Sequence, residues 1–159
     1  MLLLISIVIF KLPFYGRTAD EVRVINLIPL GGSFDENGVL VLREIVYNII
    51  FFIPLGIYIC MLKGAWSFKK KVLPIIGVTL GFEAVQFIFA MGRSDITDLL
   101  GNTLGGIIGI GIYALLWRIL NNRTVTAVNL LALAVTVCAL LPFTYLFYLS
   151  HFVMGRPPL

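Results

Sequence analysis

Charge is what this chain has least of. Only 13% of its residues are Asp, Glu, Lys or Arg, and it carries one histidine and two cysteines. Scarce charge beside a 60% hydrophobic content and a mean hydropathy of +1.03 excludes an ordinary soluble domain. A single His151 excludes a His-rich metal centre. It lies beyond the last apolar run and reads as an interfacial residue. Cys60 and Cys138 both sit inside apolar runs, where a small buried hydrophobe fits better than a disulfide or metal ligand. No metal and no cofactor are expected. The net charge of +4 invites a nucleic-acid partner, but the basic residues flank apolar spans and form no aromatic-interleaved face. None is expected.

What the chain has in abundance is apolar runs long enough to cross a bilayer, a crossing that takes ~20 residues. The pattern predicts an all-α, polytopic helical bundle of about five spans in a single domain, residues 1–159. The first run, Leu2 to Tyr15, is short. A tilted span, a signal-peptide core and the remainder of a longer span compete for it. It lacks the basic residues before the core and the small-residue cleavage site after it, which favours a retained span. The others run from about Ile45 to Leu62, Val72 to Met91, Ile96 to Leu120 and Val125 to Leu149. Between the first two lies a turn-rich connection, Gly16 to Arg43. Its stretch Val24-Ile25-Asn26-Leu27-Ile28-Pro29-Leu30 is apolar enough to lie on the membrane surface or to fold back into the bundle.

Loop charge orients the chain. Lys63, Lys69, Lys70 and Lys71 follow the second span, and Arg118 and Arg123 follow the fourth, with no acid among them. The eight acids lie elsewhere, around the first connection, in the third span and around the third connection. Basic loops are retained in the cytoplasm, so the N-terminus is expected inside and the C-terminus outside.

Glu83 is the only charge between Val72 and Met91. A carboxylate near mid-span costs ~2.5–3.5 kcal/mol on insertion scales, so such a group faces protein or trapped water. Gln86 and Arg93 follow at spacings of three and seven, near the same helical face. In the fourth span Asp98, Asn102, Gly105 and Gly109 are spaced four, three and four, again one stripe. Gly101, Gly105 and Gly109 form a small-xxx-small series that admits a close helix neighbour. The short connection carrying Arg93 and Asp95 brings the stripes together, and Asn48 of the second span joins the same layer. Pro54 and Gly56 mark a kink in that span, whereas Pro74 reads as a first-turn proline.

Buried Glu–Arg and Asp–Asn networks can serve only to fix packing and register. For Asn48, Gln86 and Asn102 taken singly that is the simpler reading. For Glu83, Arg93 and Asp98 together function is the stronger one, because intramembrane ionisable groups mark functional sites by default.

At these residues the chain resembles the VanZ-like family of membrane proteins. The resemblance rests on Val24-Ile25-Asn26-Leu27-Ile28-Pro29, on the segment from Asn48 to Gly56 that includes Pro54, and on Glu83-Ala84-Val85-Gln86. It continues through Arg93-Ser94-Asp95-Ile96-Thr97-Asp98-Leu99-Leu100 and Gly101-Asn102-Thr103-Leu104-Gly105-Gly106. It covers roughly residues 23–118; the first span is shorter than the pattern implies and the fifth lies outside it. What the resemblance implies is a small envelope protein linked to tolerance of lipoglycopeptides such as teicoplanin.

Three function classes fit. One is a non-enzymatic binding or accessory module whose outward polar site takes a lipid head group, a lipid-linked wall precursor, a lipoglycopeptide or a partner, with homo-oligomers and membrane lipids as further partners. A second is a membrane-embedded enzyme on a lipid-linked precursor, with Glu83 and Asp98 as acid and base. A third is a small transporter or flippase, against which stands the lack of an internal repeat. The first class fits best.

Overall fold

The structure is a computed structural model and describes residues 25–31, 34, 42–88 and 94–149. Within them lie β1 (Ile25–Asn26), α1 (Leu42–Leu62), α2 (Phe68–Ile88), β2 (Ser94–Asp95), α3 (Ile96–Leu120), a 3-10 turn (Asn121–Arg123) and α4 (Thr124–Tyr148). Among the described residues, three helical segments are long and apolar enough to cross a membrane: Leu42–Leu62, Phe68–Ile88 and the run Ile96–Pro142. The expected first span lies outside the described residues. The expected fourth and fifth fall together within the third segment, which is interrupted at the 3-10 turn.

The chain divides into two compact units at Leu115 and Leu116. In the first, helix directions follow from which residues meet. Gly101 faces the carbonyl of Ile45, Gly105 that of Ile49 and Gly109 that of Ile53. Both numbers rise together, so α1 and α3 run parallel. Gly106 lies against Ile75, while Asp95 bonds to Glu83; here one number rises as the other falls, so α2 is antiparallel to α3. The chain therefore goes up, down and up.

Glycine decides how closely α1 and α3 pack. A Cβ added at Gly105 or Gly109 would overlap the backbone carbonyl of Ile49 or Ile53, and one at Gly56 the carbonyl of Gly106. Backbone rests on backbone along this seam, which is how membrane helices gain contact where burial from water supplies no drive. Phe52, Ile59, Cys60, Ile75 and Ile110 fill the core beside it, with the Phe52 and Phe82 rings edge-on at 5.9 Å.

α2 starts a turn earlier than the sequence suggested, so Lys69, Lys70 and Lys71 are helical and Pro74 is interior. A lysine at a span's end can stay helical because its stem covers apolar surface while its ammonium reaches water. Pro54 is interior to α1 and leaves the Ile50 carbonyl without its helical donor.

In the second unit, Asn121 takes a positive φ of 48° and ends α3. The Thr124 hydroxyl lies 3.2 Å from the carbonyl of Leu116 in the last turn of α3 and 2.8 Å from that of Asn121, which also accepts the Thr124 backbone N–H. α4 exposes Leu130, Leu131, Leu133, Val135, Leu140 and Leu141. Apolar side chains all round a helix suit a lipid surrounding.

Candidate functional site

Because α1 and α3 start, and α2 finishes, at the same end of the first unit, polar residues far apart in sequence come together there. The Asn48 amide donates to Asp98 Oδ1 at 2.5 Å, joining α1 to α3. The Asp95 backbone N–H donates to Glu83 Oε2 at 3.1 Å, and the Ser94 hydroxyl to the Glu83 carbonyl at 3.0 Å, joining β2 to α2. Asn48, Asp98, Asn102 and Gln86 are buried; Glu83 and Asp95 are half-buried.

Local chemistry places Asp95 and Asp98. Asp95 is the N-cap of α3, its Oδ1 accepting the Thr97 N–H at 2.8 Å. Asp98 then falls in the first turn, where the helix dipole favours a negative charge. One turn on, Asn102 is 2% exposed, and among the described residues its Oδ1 has no hydrogen-bond partner. An orphaned buried acceptor carries a desolvation cost of ~1–3 kcal/mol, so it marks a position suited to a donor.

Asn26 is the member that the sequence reading did not single out. Its strand pairs in parallel with β2, Ile25 opposite Ser94 and Asn26 opposite Asp95. Its amide donates to Asp95 Oδ2 at 2.9 Å, and the Leu30 N–H donates to the Thr97 hydroxyl at 2.9 Å. Residues 25–31 of the first connection thus fold back onto the site. The available signal was a lone amide between Ile25 and Leu27 in an uncharged stretch. Ser94 and Thr97 belong to the segment that carries the family resemblance, and both bond into the cluster.

The structural residues have a different setting. Gly56, Gly101, Gly105 and Gly109 line the α1–α3 seam, and Pro54 is exposed on α1. Arg93, expected in the same polar layer, lies outside the described residues. Among the described residues no three His, Cys, Asp or Glu side chains come together as a metal site. Chemically, the described cluster is an array of carboxylate and amide oxygens with amide donors, suited to hydrogen bonding a polar group.

The VanZ/LLP1 family model matches residues 1–121. Protein VanZ of Enterococcus faecium is 35% identical over 124 residues, covering 76% of this chain and 72% of that protein. The chain belongs to the VanZ family. No solved structure matches it. The family match takes in the whole polar cluster and the glycine seam and stops at the 3-10 turn, so α4 lies beyond it.

Proposed function

We propose that this protein lowers sensitivity to lipoglycopeptide antibiotics such as teicoplanin, acting in the cell envelope as a binding or accessory module and not as an enzyme. Its polar cluster faces out of the cell and binds a lipid head group, a lipid-linked wall precursor or a partner, with Arg93 contacting an anion through a guanidinium fork. Five crossings, with residues 2–15 as the first and α3 and α4 as the fourth and fifth, put the N-terminus inside and the C-terminus outside. The lysine-bearing turn between α1 and α2 then lies in the cytoplasm.

The observation that carries this reading is the convergence of Asn26, Asn48, Glu83, Asp95 and Asp98, drawn from separate stretches, at one end of a membrane-spanning unit. Holding buried polar groups together in a membrane protein is costly and marks a working site. Family membership supports the link to teicoplanin. In cells dependent on this protein for protection, Arg93→Ala at wild-type membrane levels should abolish the tolerance. Undiminished tolerance in that variant would overturn the reading.

A further inference from the structure

The turn that folds back onto the polar cluster has a second face, and it is apolar. Leu27 and Ile28 are each 70% exposed, and Ile25, Leu30 and Phe34 are exposed as well. From Val24 to Phe34 the sequence carries no charge, with Arg23 before it and Asp35 and Glu36 after. Apolar surface of this extent in water is unfavourable in proportion to its area, and contiguous exposed patches mark interaction surfaces.

The backbone N–H groups of this turn are met from within the protein. The Ile28 N–H donates to Asn26 Oδ1 at 3.1 Å, the Leu30 N–H to the Thr97 hydroxyl and the Gly31 N–H to the Ile28 carbonyl at 2.9 Å. Pro29 has no N–H to satisfy. From residue 28 to residue 31 every backbone donor therefore has a partner or does not exist. Satisfied donors lower the cost for irregular backbone to enter a non-aqueous layer.

The turn is also held rigidly. With Pro29 second and Leu30 third at φ 65°, it has the pattern of a type II turn whose third residue is normally Gly or Asn. A leucine kept in that conformation is strained, and the Thr97 bond helps to hold it. The anchoring points, β2 and the first turn of α3, set its depth. Thr97 sits at the end of a membrane-spanning run, and farther along it Leu100 and Leu104 are themselves exposed apolar residues.

We propose that the turn around Leu27 and Ile28 is a membrane-interface anchor, seated in the bilayer leaflet at the polar end with its apolar side chains among the lipids. The polar cluster beneath it then opens at the boundary between hydrocarbon and head groups instead of in bulk water. This holds whatever the cluster binds.

The test uses the full chain in phospholipid vesicles, with Cys60→Ala and Cys138→Ala and one nitroxide label at Ile28→Cys or, as a second position, Leu27→Cys. Collisions with dissolved oxygen, which concentrates in lipid, are compared with those of a water-soluble nickel complex. The oxygen-to-nickel ratio should exceed that at Lys70→Cys several-fold and approach that at Leu100→Cys. A ratio like that of Lys70→Cys at both positions, or shielding from both reagents, would overturn the proposal.

Discussion

The two ends of the first unit are built in opposite ways. At the polar end the bonds tie residues far apart in the chain: Asn26 to Asp95, Leu30 to Thr97, Asn48 to Asp98 and Glu83 to Asp95. At the lysine end the described bonds are local. Lys71 Nζ donates to the Gly64 carbonyl at 3.1 Å, Lys63 lies over the Trp66 ring at 5.5 Å, and the Trp66 N–H donates to the Lys63 carbonyl at 3.0 Å. Distant bonds can form only once the helices are assembled, whereas local ones depend on a single turn. The polar end is a product of tertiary structure, and the lysine end can be exchanged piecemeal.

The seam is where that contrast breaks most completely. Gly105→Ala places a methyl group into the Ile49 carbonyl, which cannot move without shifting α1. Overpacking of this kind typically costs about 1–3 kcal/mol, so the variant should melt lower in detergent micelles and lose the Asn48–Asp98 bond. Gly111→Ala, where nothing lies within 4 Å of the added Cβ, is the control. It should melt no lower than wild type, because alanine is the better helix former by about 1 kcal/mol.

Next in size is Asn48→Leu, which removes the donor to Asp98 in a buried setting. Removing one partner of a buried pair costs about 1–3 kcal/mol. The thermal midpoint should fall, and Asn48→Asp should not restore it, since it sets a second carboxylate against the first. Smallest is the pair Lys69→Gln and Lys70→Gln. Exposed charges with only local contacts contribute within about 0.5 kcal/mol, so the melting point should hold. Fusion reporters on the loop should instead show a fraction of inverted molecules, because loop lysines set orientation.

The same contrast explains what could be read from the sequence. α1, α2 and α3 were legible because an uncharged run of that length has few other fates. The start of α2 was misplaced because lysines at a membrane surface look like loop while remaining helical. The glycine spacing in α3 pointed to a close neighbour, but nothing local names α1 as that neighbour. Asp95-Ile96-Thr97-Asp98 carries a capping signal beside its place in the polar layer, and the structure makes Asp95 the cap. Asn26 was invisible for a physical reason: its partner Asp95 is 69 residues away, and pairing at that distance leaves no periodicity. The first expected span and Arg93 fall outside the described residues.

All of this bears on function only if the polar end meets the outside of the cell. In a Cys60→Ala, Cys138→Ala background, Leu42→Cys reports on the polar end and Lys70→Cys on the lysine end, both positions being exposed. Intact cells treated with a membrane-impermeant maleimide should label Leu42→Cys, and Lys70→Cys only after permeabilisation. The reverse pattern would contradict the account.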